Sequence, residues 1–159
     1  MKKKAKVLLI TPNLKGISDG VNRIQPSLGL MLIAPILEKN GHEVKIYDAA
    51  LDGWEKRKVI DEKNNIVMIG QDDENIAKVV SNFSPDIVAI SVLFSNLLES
   101  AHQIAKVIKK VNKKIQIILG GNHISSAVQD YKYFKNDKEI KLENIITDLE
   151  NDHFDYGMA

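Results

Sequence analysis

Ser84-Pro85-Asp86-Ile87-Val88-Ala89-Ile90-Ser91 decides the fold. A residue before proline is driven out of the helical region, so Ser84-Pro85 ends whatever helix precedes it. The five residues from Ile87 to Ser91 show no polar alternation, as expected for a strand buried on both faces of a parallel sheet. Working backward, Asp72 or Asp73 can cap a helix whose inward face is Ile76, Val79, Val80 and Phe83. Working forward, Asn96 with Glu99 three residues on forms a capping-box pattern. Leu97, Ala101, Ile104, Ala105 and Ile108 then give an amphipathic stripe. A further apolar strand over 115–119 runs into Gly120-Gly121.

The N-terminal part repeats this strand-then-helix order. Lys6–Thr11 reads as another doubly covered strand, and residues 43–47 as a third. Between them, Leu28, Met31, Leu32, Ile33, Ile36 and Leu37 recur at helical spacing, with Gly41 as the stop and Pro35 expected to kink the helix. Residues 12–26 read as a polar, glycine-containing loop, longer than the usual 2–6 residues of such connections. Lys58-Val59-Ile60 and Ile66-Val67-Met68-Ile69 flank Asn64-Asn65, a pair that tolerates positive φ, and so predict an inserted β-hairpin. Beyond Gly121 short helices are expected over 125–133 and 142–150, with a fifth strand over 154–158. Strands alternating with helices imply a parallel sheet with right-handed crossovers.

Composition excludes several functions. The 159 residues suit one domain, residues 1–159, and 22 Lys and Arg against 21 Asp and Glu leave no basic field for nucleic acid or anionic lipid. No run approaches the roughly 20 apolar residues of a membrane span, and the basic start is followed by only Val7-Leu8-Leu9-Ile10, so a soluble, cytoplasmic protein is expected. There is no cysteine, which removes disulfides, thiolate chemistry and any iron–sulfur cluster held by this chain.

Ligands of open parallel sheets bind beyond the carboxyl ends of the strands, where the strand order reverses. With a flavodoxin-like order 2-1-3-4-5, that edge gathers Thr11-Pro12-Asn13 and its loop, Ser91-Val92-Leu93, and Gly120-Gly121-Asn122-His123. These ten residues are the expected ligand contacts. No catalytic or metal-ligating residue is expected. His42 reads as structural, His102 lies off its helix's apolar stripe, and His153 sits in the weakly patterned tail. Asp48 is expected to cap or touch the neighbouring loop, Trp54 to shield the hairpin base or else border the ligand, and the Lys109-Lys110 and Lys113-Lys114 pairs to be solvated.

The Ser91-Val92-Leu93 and Ile118-Leu119-Gly120-Gly121 segments resemble the S-x-L and G-G elements of cobalamin-binding domains. Asn40-Gly41-His42-Glu43-Val44 through Asp48, and the stretch from Ser84 to Ser91, resemble the domain that precedes the barrel in cobalamin-dependent radical SAM enzymes, including relatives of anaerobic magnesium-protoporphyrin ester cyclase. The resemblance covers nearly the whole chain. It implies a doubly wound, flavodoxin/Rossmann-like five-stranded sheet with a hairpin insertion, and cobalamin as ligand. It also implies that Ser91 and Leu93 line the slot for the dimethylbenzimidazole tail, with the Ser91 hydroxyl donating to a ring nitrogen. The glycine pair would lie along the nucleotide and the loop from Pro12 would face the corrin. The D-x-H-x-x-G motif that supplies a cobalt-binding histidine is absent, since Thr11 to Gly16 holds no His. A base-off cofactor without a His ligand is therefore expected. The resemblance further implies a radical SAM domain in cis, carrying S-adenosylmethionine and a 4Fe-4S cluster, in a longer parent enzyme of which this chain is a fragment.

Rival functions make different demands. A receiver domain needs an aspartate where Ser91 stands, and a flavodoxin needs a phosphate loop where Pro12-Asn13-Leu14-Lys15 stands. The nucleotide-sugar-binding half of a glycosyltransferase and a purely structural interaction module remain as alternatives at the sequence level.

Overall fold

A computed structural model describes residues 4–126 and 155–157. In chain order the elements are β1 (Lys6–Thr11), β2 (Leu14–Ile17), α1 (Leu28–Lys39), β3 (Glu43–Asp48), α2 (Ala49–Asp52), β4 (Arg57–Asp61), β5 (Ile66–Ile69), α3 (Asp73–Phe83), β6 (Ile87–Ser91), α4 (Leu98–Val111), β7 (Gln116–Gly120) and β8 (Tyr156–Gly157). The main sheet has the order β3-β1-β6-β7-β8 with every pair parallel. In order of appearance that is 2-1-3-4-5, as expected, with the reversal between β1 and β6.

The doubly covered strands are buried as their composition requires. On one face Leu8, Ile10, Val88, Ile90, Ile117 and Leu119 pack with Ile76 and Val80 of α3 and Ala101, Ile104 and Ile108 of α4. Each such Leu or Ile side chain contributes roughly 1.5–3 kcal/mol on leaving water. On the other face Val7 and Leu9 meet Leu30 and Ala34 of α1. Asp72 caps α3 by accepting from the Asn75 N–H at 2.8 Å, and Ser84 ends it in the left-handed region at φ 50°. Among the described residues, no helix is long and apolar enough to cross a membrane.

Several expectations are corrected. The segment after Thr11 is not loop throughout: β2 lies within it and pairs antiparallel with β5. The inserted hairpin of β4 and β5 turns at Asn65, φ 52°, as predicted, but it belongs to a three-stranded sheet of order β2-β5-β4. The inward face of α1 is Leu30 and Ala34 with Leu37 partly buried, whereas Leu28, Met31, Leu32, Ile33 and Ile36 are exposed. An all-apolar helix offers no periodicity to fix its direction. The Asn96 capping box does not form. A single 3₁₀ turn over Ser95–Leu97 precedes α4, and Glu99 instead pairs with Lys15 at 3.2 Å. Lys109 is not solvated: its Nζ donates to the Ile115 carbonyl at 2.9 Å and pairs with Asp155 at 2.7 Å. That contact and the Ile117 N–H outweigh partial burial and hold the Asp155 carboxyl below its usual range.

His42 is structural, its Nδ1 accepting from the Ala5 N–H at 3.2 Å, and Trp54 lies under the Arg57 guanidinium at the hairpin base. Residues 122–126 are helical, starting ahead of the expected 125. The remainder of that helix, the helix expected over 142–150, and His153 lie outside the described residues.

Candidate cofactor site at the carboxyl edge

Strand alternation and register bring four positions into one row. Thr11 lies opposite Asp48, Ser91 lies opposite Gly120, and the pairing Ile10–Ile90 sets Thr11 beside Ser91. Side chains two apart share a face, so this row faces the α1 side, in line with Val7 and Leu9. All four residues are half-buried, and they are small or short-chained where the strand interiors carry Leu and Ile. The sheet thus leaves space at its carboxyl end.

A cavity of about 240 Å³ occupies that space. Thr11, Asp48 and Ser91 line it with Arg23, Gln25 and Ser27 from the approach to α1, and Pro12, Leu93, Phe94 and Leu97 supply apolar walls. Whole small-molecule pockets measure roughly 300–1,000 Å³, so this one suits an appendage of a larger ligand. Mixed walls of this kind suit a flat, weakly polar ring. One polar atom has no counterpart in the protein: Thr11 Oγ1 is buried without a hydrogen-bond partner. Buried hydroxyls are nearly always satisfied, so an unpaired one at the border of a cavity calls for an explanation.

Asp48 serves two neighbours. Its Oδ1 accepts from the Leu51 N–H at 3.0 Å, capping α2, while the carboxyl borders the cavity. Burial raises its proton affinity above the ordinary value, against the Leu51 and Ala50 N–H groups that favour the carboxylate. A raised folded-state value means the native chain holds the proton to higher pH than the unfolded chain. The ionised carboxylate therefore costs stability once pH climbs past the ordinary value of 3.8. Asp48→Asn keeps a capping oxygen and is expected to melt at higher temperature than the parent at about pH 7, with the difference vanishing near about pH 3. Thermal circular dichroism at the two pH values reads it, and an equal gain at both would remove the buried charge as the cause.

The remaining sequence-predicted residues fall into two groups. Leu93 is 44% exposed at the cavity wall, and Pro12 is buried beside it. The others are engaged elsewhere. The Asn13 carboxamide grips the Gln71 backbone from both sides, its Nδ2 donating at 2.8 Å and its Oδ1 accepting at 3.0 Å, and so ties the loop after β1 to the start of α3. The Val92 side chain is fully buried in the core under α4. Gly121, at φ 109°, has the Val92 backbone packed against it, so its bareness serves loop-on-loop contact. Asn122 is exposed. His123 donates its N–H to the Val92 carbonyl at 3.1 Å and shares a 3.0 Å hydrogen bond between Nδ1 and Ser95 Oγ. The S-x-L and G-G loops are thereby locked together beside the cavity.

Sequence reasoning gave Asp48 a capping or loop-contacting role and passed over Arg23, Gln25 and Ser27. A larger hollow of about 860 Å³ lies between the β4–β5 hairpin and helices α3 and α4, bordered by charges such as the Lys56–Asp72 pair at 2.9 Å. Of the predicted residues only Asn13 borders it.

The chain is similar in sequence and fold to known proteins. The B12 binding domain family model matches residues 15–138. A cytidylyl-2-hydroxyethylphosphonate methyltransferase of Streptomyces wedmorensis is 36% identical over 118 residues, which is 74% of this chain and 22% of that protein. An uncharacterized methyltransferase of Pyrococcus horikoshii is 28% identical over 119 residues, 75% of this chain and 22% of the relative. The chain thus spans about a fifth of the length of the curated relatives it matches. A cobalamin-binding protein from Desulfitobacterium hafniense, solved by crystallography, shares the fold at a TM-score of 0.51 and 17% identity, covering 99% of this chain and 54% of that one. Since the family match spans well over half of the sequence, the chain belongs to the B12-binding domain family.

Proposed function

We propose that this chain is the cobalamin-carrying part of a longer cytoplasmic methyltransferase-type enzyme, and that the cavity at the carboxyl edge receives the nucleotide tail. The observation that carries the reading is the row Asp48, Thr11, Ser91, Gly120, of which the first three line a cavity of appendage size. Ser91 and Thr11 would hydrogen-bond the dimethylbenzimidazole and its sugar, Leu93 and Phe94 would cover the ring, and the corrin would lie outside. Bound cobalamin supplies a cobalt that carries a methyl group or an electron.

The segment from Pro12 to Ser27 contains no histidine, which supports a base-off cofactor with no His on cobalt. In this reading S-adenosylmethionine and a 4Fe-4S cluster belong to a radical SAM domain elsewhere in the same polypeptide, since this chain has no cysteine to hold a cluster. Within this chain the residues bind and orient, and none moves a proton.

Mixing the chain with hydroxocobalamin and passing it through gel filtration tests the reading. A shifted corrin spectrum should co-elute at about one equivalent, while a colourless protein peak sinks the proposal. Thr11→Val supplies a finer check. Without ligand the variant should be as stable as the parent or ~1 kcal/mol more stable, because an unsatisfied buried hydroxyl is gone. Cobalamin affinity should fall about tenfold, ~1.4 kcal/mol. Titration by absorbance and thermal melting read the two effects, and unchanged affinity would separate Thr11 from the ligand.

A further inference from the structure

We propose that the outer face of α1 is the seat of the polypeptide that follows β8, so that catalytic and cofactor-carrying parts meet along this helix. The proposal rests on the reading above, in which the chain is one piece of a longer enzyme. From Leu28 to Leu37 the helix bears no polar side chain, yet only Leu30 and Ala34 are buried. Leu28, Leu32 and Ile36, at i, i+4 and i+8, form one stripe and are 70%, 70% and 61% exposed. A helix apolar all round is a helix covered all round, and a contiguous apolar patch of this kind marks an interface.

The sheet points the same way. Its α3/α4 face is filled, with Val88, Ile90, Ile117 and Leu119 at 0–1% exposure. On the α1 face, Ile87, Ala89 and Ile118 stay half-buried, with α1 the only helix packed there among the described residues. Parallel sheets are covered on both faces. Chain leaving β8 emerges at the carboxyl edge, beside β7, and among the described residues the α1 face is the less filled of the two. Ser27, next to the start of α1, lines the cofactor cavity, so a domain resting on the stripe also reaches the cavity mouth. The relatives, of which this chain spans about a fifth, have ample length to supply that cover.

Hydrogen–deuterium exchange on this chain and on the same reading frame continued to its natural stop codon tests the proposal. Amides of α1 should exchange at least tenfold more slowly in the longer protein. The double variant Leu32→Glu, Ile36→Glu should leave melting and cobalamin uptake of the 159-residue chain unchanged and abolish the extra protection in the longer one. Equal protection in both proteins, or a stop codon directly after Ala159, overturns it. So does a concentration-dependent dimer, seen by sedimentation, that the double variant dissolves, since a second copy would then be the occupant. If α1 is protected as described but no cobalamin is bound, the interface stands and the cofactor reading falls.

Discussion

A Ser91→Leu chain is expected to fold as the parent does and to retain no cobalamin after gel filtration. Ser91 lies at the end of β6, half-buried, with its side chain at the cavity and the Gly120 backbone opposite. Leucine there adds two heavy atoms and a branch to a space of about 240 Å³ that must admit a bicyclic ring. Because the position borders a cavity, the larger side chain enters empty space and strains nothing in the ligand-free fold. The nucleotide tail then has nowhere to insert. We expect at least a hundredfold loss of affinity, ~2.7 kcal/mol. Cobinamide, which keeps the corrin and lacks the nucleotide, separates this from general damage. It should bind parent and variant alike, and weakly. A variant that discriminates cobalamin from cobinamide as well as the parent does would place the tail elsewhere.

The parallel sheet was legible because buried strands such as Ile87–Ser91 and Lys6–Thr11 are apolar without interruption, and no other common element of that length reads so. The hairpin turn was legible because Asn-Asn tolerates the positive φ that Asn65 adopts. What escaped depended on distant partners. Leu14-Lys15-Gly16-Ile17 has no strand signature of its own and is a strand only because β5, some fifty residues on, pairs with it. Glu99 was read as part of a local cap, but Lys15, 84 residues away, claims its carboxylate. Asp48 could have been placed at the site. The alternation of β3 and the strand order 2-1 together put it beside Thr11, but only once the register is known. Arg23, Gln25 and Ser27 carry no local signal of binding and come to the cavity through the path of the loop. Small residues at strand ends were therefore readable as a site, whereas the side chains that complete its wall were set by tertiary structure.

The second large effect concerns the loop that closes the site. Gly121→Val is expected to destabilise the ligand-free chain by ~3 kcal/mol, where Gly29→Ala should stabilise it by ~0.5–1 kcal/mol. At Gly121 the backbone sits at φ 109°, outside the range β-branched residues adopt, and an added Cβ would lie 2.5 Å from the Val92 carbonyl oxygen and 2.9 Å from the Val92 carbonyl carbon and nitrogen, all backbone atoms. Nothing flexible can yield. Val92 is held in turn by its N–H to the Gly120 carbonyl at 2.7 Å and by its carbonyl to the His123 N–H at 3.1 Å, so relief would break the lock between the two loops. Gly29 lies in α1 with open space where its Cβ would stand, and there alanine only lowers the entropy lost on folding. For a chain of this size ~3 kcal/mol lowers the melting temperature by roughly 6–12 °C. Differential scanning calorimetry of both variants reads the contrast. If Gly121→Val melts within a degree or two of the parent, the two loops are not packed as described, and the cavity beside them loses its rigid wall.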